Sequence, residues 1–124
     1  MSALTEIAAG VHLPSAAAKW IFGTHENVTA VGTTASDGYQ VRTRSVDITG
    51  GSGKCVVLPA AVGDGIEIYF IRNSSGNTNE VIPPSGGTIN ALSANSGYSM
   101  ATAKSAVFIA KSASAYYTIP IVAS

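Results

Sequence analysis

Charged side chains are scarce in this chain of 124 residues: seven are basic and seven acidic, and together they make up 11% of the sequence. A typical soluble domain carries about 25%. The net charge is zero, and the basic residues form no run, which argues against a phosphate-binding face and against nucleic acid as a direct partner. So few charges cannot cover the roughly 6,200 Å² of surface expected for a monomer of this mass. We therefore expect much of that surface to lie against other protein subunits.

Cysteine and long apolar runs are also scarce. The single cysteine, Cys55 in KCVVLP, excludes an internal disulfide and a cysteine-rich metal site, and we interpret it as a small buried residue on a strand. No stretch of about 18 apolar residues occurs, so no helix is predicted to span a membrane and no membrane partner is expected. The first ten residues lack the basic start and the continuous apolar core of a secretory signal.

Groups that could carry out chemistry are few. The two histidines, His12 and His25, both lie near the N-terminus, and no spacing brings them a third metal ligand. The segment GGSGK, residues 50–54, lacks the first glycine and the final Ser or Thr of a phosphate-binding loop, and it predicts a glycine-rich hairpin turn. The sequence therefore predicts neither an enzyme nor a cofactor.

What the sequence does contain is a series of short strands. From Asn27 onward, β-branched and apolar segments alternate with turn signals every 8–12 residues, which predicts eight or nine strands. This pattern favours an all-β domain over residues 27–124, an antiparallel β-sandwich or jelly roll. Strands and helices do not alternate and no repeat is evident, which argues against a parallel α/β sheet and a solenoid. The segment GIEIYFIRN is apolar on both faces and predicts a central strand covered on both sides.

Residues 1–26 differ from the rest and predict an N-terminal arm. Alanine clusters follow Ser15, which could cap a short helical turn. Three consecutive large apolar residues then follow, Trp20, Ile21 and Phe22, and these are candidate partner contacts. Two interpretations stay open: the arm packs on its own domain, or it reaches a neighbouring subunit.

Two arginines are weaker candidates for partner contacts. Arg42 and Arg44 lie two residues apart in YQVRTRSVDIT, so a continuous strand would point both side chains to one face. Fixed there, two guanidinium groups could pair with carboxylates of a partner subunit. The alternative is a solvated face with local pairing to Asp47 or Glu67.

The order of motifs in the second half of the chain resembles small structural proteins of tailed bacteriophages, the head decoration or cement proteins. The motifs that carry the resemblance are, in order, Leu58-Pro59, Gly63-Asp64, Ile82-Pro83, Gly86-Gly87-Thr88-Ile89-Asn90 and Tyr116-Tyr117-Thr118. With the upstream segment THENVTAVGTTAS, the resemblance extends over residues 24–118. The family often ends in Trp where this chain has Tyr117, and its pattern includes no catalytic residues.

The resemblance implies a non-enzymatic virion structural protein, made in the bacterial host cytoplasm and located in the phage head. Such a protein binds the major capsid protein, assembles with copies of itself, with a homotrimer expected, and reinforces the head lattice. The alternative is a carbohydrate- or receptor-binding β-module of a tail fibre or spike. Tyr98, Tyr116 and Tyr117 could then stack on sugars, whereas in the first interpretation they pack in the core or at interfaces.

Overall fold

The computed structural model describes residues 25–61 and 67–121, and within these ranges the chain forms strands and no helix. The strands are β1 (His25–Thr29), β2 (Tyr39–Gln40), β3 (Ser45–Gly50), β4 (Cys55–Val57), β5 (Ile68–Asn73), β6 (Asn79–Ile82), β7 (Thr88–Ile89), β8 (Tyr98–Met100), β9 (Lys104–Ala110) and β10 (Ala115–Ile121). The predicted all-β class is confirmed. In the part of the chain described, no helix is long and apolar enough to cross a membrane.

The strands form two sheets, and the chain moves back and forth between them. A six-stranded sheet has the order β1-β3-β5-β9-β10-β7, and a four-stranded sheet has the order β2-β4-β6-β8. From β1 to β9, successive strands therefore alternate between the two sheets. We call the successive pairs β1–β2, β3–β4 and β5–β6 rungs, because each rung adds one strand to each sheet.

Both sheets are mixed, and the expectation of antiparallel sheets was wrong for most pairings. Five of the eight strand pairings are parallel, and three are antiparallel. A parallel pair needs a crossover connection, which is usually a helix. Here a strand of the other sheet makes the crossover, so the absence of strand–helix alternation did not exclude parallel pairing. The predicted hairpin turn at residues 50–54 is likewise a connection from β3 to β4 of the other sheet.

One apolar cluster receives side chains from both sheets. Its buried members on the six-stranded sheet are Val28, Val46, Ile48, Tyr69, Ile71, Ile89, Ala106, Phe108 and Tyr116; those on the four-stranded sheet are Val56, Val81 and Met100. Ala30, Val41 and Leu58 join the cluster from connections. Because side chains alternate along a strand, each strand that contributes to this cluster also presents residues to the opposite face of its sheet.

A buried asparagine ties neighbouring rungs together. Asn79, at the start of β6, has no exposed surface. Its Oδ1 accepts a hydrogen bond from the Lys54 backbone N–H at 3.1 Å, and its Nδ2 donates to the Gly51 carbonyl at 3.2 Å and to Ser75 Oγ at 2.9 Å. Gly51 adopts φ +106°, and a Cβ there would lie 2.8 Å from the Ala30 carbonyl oxygen. The turn after β3 is thus fixed by glycine geometry and by the Asn79 amide.

Candidate contact face

Strand β5 has apolar residues on both faces, and the described residues cover only one of these faces. Tyr69 and Ile71 point into the core and are buried, whereas Phe70 is 52% exposed on the opposite face. β5 is the third of six strands in its sheet, so its predicted interior position is confirmed. The cover expected on its second face is not supplied by the residues that the structure describes.

Strand register aligns six outward-facing residues into two rows on the outer face of β5, β9 and β10. The rows are Phe70–Val107–Ile119 and Ile68–Ile109–Tyr117. Residues paired across neighbouring strands project from the same side of a sheet, with the strands about 4.8 Å apart. The six residues therefore form a continuous apolar surface, which we call the contact face. Its most exposed members are Phe70, Ile119 and Tyr117, at 52%, 52% and 42%.

Polar residues border the contact face on the side of β1 and β3. Phe70 is in register with Ser45 of β3, and Ser45 with His25 at the start of β1. The His25 Nδ1 atom lies 2.8 Å from Ser45 Oγ. A shallow depression of about 390 Å³ lies here, lined in part by His25, Ser45, Asp47, Phe70 and Arg72. An apolar patch with a polar rim is typical of a surface that contacts another macromolecule.

Arg42 and Arg44 lie at a corner and not on a continuous strand. β2 and β3 belong to different sheets, and residues 41–44 connect them; the predicted strand face shared by both arginines was therefore wrong. The Arg42 side chain is 72% exposed, with its guanidinium 3.8 Å from Glu26 Oε1. The Arg44 guanidinium carbon lies 5.9 Å from the centroid of the Tyr69 ring. Arg42 thus remains available to a partner, while Arg44 packs over an aromatic ring.

Beneath the contact face, two buried tyrosines act as hydrogen-bond donors. The Tyr69 hydroxyl donates to Glu67 Oε1 at 2.7 Å, and the Tyr116 hydroxyl donates to the Pro59 carbonyl. Burial raises the pKa of both phenols above the usual value, so both stay protonated across the physiological range. Their ring centroids are 6.1 Å apart. This arrangement fixes the inner side of β5 and β10 and gives the contact face a rigid support.

The three tyrosines considered for sugar stacking occupy different environments. Tyr116 is buried, and Tyr98 is half-buried and packs edge-on against Phe108 with centroids 5.5 Å apart. Tyr117 belongs to the contact face and is exposed. Of the three, Tyr117 is therefore the one whose ring is open to a ligand.

Cys55 is buried, as the sequence predicted. Burial raises the pKa of its thiol to about 11, with smaller contributions from the Asp37 and Glu80 carboxylates. Such a thiol is a poor nucleophile at neutral pH. Within residues 25–61 and 67–121, no group of three or more His, Cys, Asp or Glu side chains could hold a metal ion.

The predicted arm contacts Trp20, Ile21 and Phe22 lie outside the described residues. The described chain begins at His25, and β1 includes His25 and Glu26, which the sequence had assigned to the arm. Comparisons with family models, with curated proteins and with solved structures find no match to this chain.

Sequence reasoning missed the β9 and β10 members of the contact face. The signal was present in β9, where Val107 and Ile109 alternate with the buried Ala106 and Phe108. Apolar residues at both sets of alternating positions mark a strand with two apolar faces, as in β5. The residues of β10 could not be grouped with these before the strand order was known.

Proposed function

We propose that this protein is a non-enzymatic structural protein of a bacteriophage virion, a capsid decoration (cement) protein that binds and reinforces the head lattice. The observation that supports this proposal is the contact face: an exposed apolar surface across three adjacent strands of a domain whose core is already packed. We further propose that the two sheets pack as a β-sandwich and that the residues before β1 form an arm. The partners are the major capsid protein and further copies of the chain, which form a homotrimer.

The contact face has the properties needed for adhesion to a lattice. Fully burying a large apolar side chain contributes about 1.5–3 kcal/mol, so covering the exposed halves of Phe70 and Ile119 contributes about 1 kcal/mol each. A stable complex buries about 800 Å² per partner. Several such contacts in one trimer act together through effective concentration. A strand-built face loses little conformational entropy on docking, and the exposed Arg42 and the arm residues Trp20, Ile21 and Phe22 add contacts.

The proposal is tested by binding to heads of the phage that encodes the chain, prepared without this protein. Phe70→Thr/Ile119→Thr removes apolar area from the contact face while keeping residues that favour strands. The matched control is Val31→Thr, which alters an exposed aliphatic residue, 44% exposed, whose backbone pairs with Cys55 of the four-stranded sheet. Co-sedimentation is expected to show about 30-fold weaker binding for the double variant, from a loss of about 2 kcal/mol, and unchanged binding for the control. Equal binding of all three proteins would contradict the proposal.

A second candidate is a carbohydrate- or receptor-binding β-module of a tail fibre or spike. It is favoured by one observation, the exposure of two aromatic rings, Phe70 and Tyr117, on the same face. Aromatic faces stack on the apolar faces of sugars. A glycan array together with mass spectrometry of separated heads and tails distinguishes the two functions. Glycan binding that is lost in Tyr117→Ala, with the protein found in tails, would replace the decoration proposal.

A further inference from the structure

We propose that the contact face of one subunit is covered by Trp20, Ile21 and Phe22 of a second copy of the chain. This inference rests on the proposed function in one respect, namely that the partner is a further copy of the chain. It assigns the contact through which the copies associate. It concerns the free protein; on the head, the capsid protein would replace the arm on this face. The test of the inference therefore needs no phage particle.

The described chain begins level with the contact face. β1 is an edge strand of the six-stranded sheet and starts at His25. His25 is in register with Ser45, and Ser45 with Phe70. Because these three strands run parallel, the N-terminal side of His25 is the side on which the Ile68 row lies. The arm therefore joins the sheet at the height of the two apolar rows.

The reach of the chain decides between a subunit's own arm and that of a neighbour. Strand β5 is two spacings from β1, β9 three and β10 four, which places them about 10, 14 and 19 Å away at about 4.8 Å per spacing. At about 3.5 Å per residue, Phe22 reaches at most about 10 Å from His25 and Trp20 about 17 Å. The main chain of a subunit's own arm thus reaches β5 and β9 but not β10, so its three apolar side chains cannot cover the whole contact face. A neighbouring subunit is not limited in this way.

The layout of the sheet fits a head-to-tail contact between copies. The arm leaves from the β1 edge, and the contact face extends to β10, next to the opposite edge. A subunit that contributes its arm at one edge and receives a neighbour's arm near the other forms a heterologous interface. Such an interface closes into a ring when the rotation between subunits allows it. A closed ring of three copies would cover every contact face in the same way.

The side chains of the arm match the face chemically. Trp20, Ile21 and Phe22 are three consecutive large apolar residues, and the contact face carries no charge. Beside Phe70, the depression of about 390 Å³ lined in part by Ser45 and Arg72 gives an aromatic ring a concave place to dock. Buried aromatic anchors surrounded by polar groups are typical of the centre of a protein interface.

Trp20 is the single tryptophan of the chain, so its fluorescence reports directly on the proposed contact. In the full-length protein we expect blue-shifted emission and weak quenching by acrylamide. In Phe70→Thr/Ile119→Thr we expect red-shifted emission, severalfold stronger quenching and a smaller oligomer in sedimentation velocity. Val31→Thr is expected to behave as the unaltered protein. Circular dichroism of each variant establishes that the strands are retained.

Mixing two variants separates a neighbour's arm from a subunit's own. Trp20→Ser is silent in tryptophan fluorescence but keeps an intact contact face, whereas the double variant keeps Trp20 and has an impaired face. Adding excess Trp20→Ser to the double variant is expected to restore the blue-shifted emission, because the tryptophan docks on the intact face of the other copy. Emission that shifts in the double variant but is not restored by mixing assigns the arm to its own subunit and overturns the proposal. It is equally overturned if the double variant emits as the unaltered protein does, or if Val31→Thr reproduces the shift.

Discussion

Replacing Asn79 by alanine is predicted to destabilise the fold strongly, although Asn79 lies on the four-stranded sheet and takes no part in the proposed function. The Asn79 side chain is fully buried and makes three hydrogen bonds, to the Lys54 N–H, the Gly51 carbonyl and Ser75 Oγ. Alanine leaves all three partners without this amide. The turn after β3 then loses the group that ties it to the next rung.

The magnitude follows from the burial of each bond. The bond to Ser75 Oγ is buried, and its loss costs about 1–1.5 kcal/mol; the two bonds to backbone groups are partly buried and cost about 0.5–1 kcal/mol each. The small cavity adds about 1 kcal/mol, which gives a total of about 3–4.5 kcal/mol. For a chain of this size such a loss lowers Tm by about 10–15 °C.

Urea denaturation followed by circular dichroism measures this loss, with Asn77→Ala as the matched control. Asn77 is exposed, and its Nδ2 donates a long bond, 3.4 Å, to the same Gly51 carbonyl, so its replacement should cost less than about 0.5 kcal/mol. Asn79→Asp keeps the acceptor for Lys54 but removes both donors, and it should destabilise at least as much as alanine. Equal stabilities of the Asn79→Ala and Asn77→Ala variants would refute the reasoning.

Three further predictions concern the thiol, the tyrosine cluster and the contact face. The pKa of the Cys55 thiol is raised to about 11 from 9.0, so the thiol of the unfolded chain ionises first as pH rises. The free energy of unfolding should therefore fall by about 2 kcal/mol between pH 9 and 11. Urea denaturation at both pH values should show a smaller fall in Cys55→Ala. Tyr116→Phe leaves the Pro59 carbonyl without its hydroxyl donor and should cost about 1–2 kcal/mol in urea denaturation; an unchanged midpoint would contradict the role given to this bond. In protein diluted until it is monomeric, Phe70→Thr/Ile119→Thr alters exposed residues only and should change the unfolding free energy by less than about 1 kcal/mol, whereas a larger loss would mean that these side chains belong to the core.

The all-β class was predictable from local pattern. The alternation in GIEIYFIRN identified β5 and its two apolar faces, because side chains repeat every two residues along a strand, but it did not distinguish the buried face from the exposed one. The burial of Cys55 followed from its apolar neighbours in the same way. The structure has ten strands where eight or nine were predicted, in part because YQVRTRSVDIT divides into β2 and β3.

The sheet to which each strand belongs could not be predicted, because both sheets require the same alternation. Val41 and Thr43 remain buried through the corner between β2 and β3, so the apolar period continues across a change of sheet that no glycine or proline marks. The parallel pairing was hidden for a related reason. Residues paired across the first two rungs, such as Glu26 and Val46, are 20 apart, whereas Val46 and Ile71 are 25 apart, and unequal spacing leaves no repeat in the sequence.

The contact face shows the same limit for a functional site. Two-sided apolar character was visible in β5, and in β9 on closer reading, but a surface requires knowing which strands are neighbours. β9 and β10 follow β5 by more than thirty positions in the chain and become its neighbours only through the sheet order. Local pattern therefore finds the residues of such a site one strand at a time, and topology assembles them.

The passage of each rung through both sheets makes the domain extensible in whole steps. Inserting a second copy of one rung would lengthen each sheet by one strand, about 4.8 Å, without changing the direction of any strand that follows. Inserting half a rung would move every later strand to the other sheet and place its apolar side chains on the outer face of that sheet. Natural or engineered variants of this architecture should therefore differ in length by complete rungs, and their outer surfaces should grow in proportion.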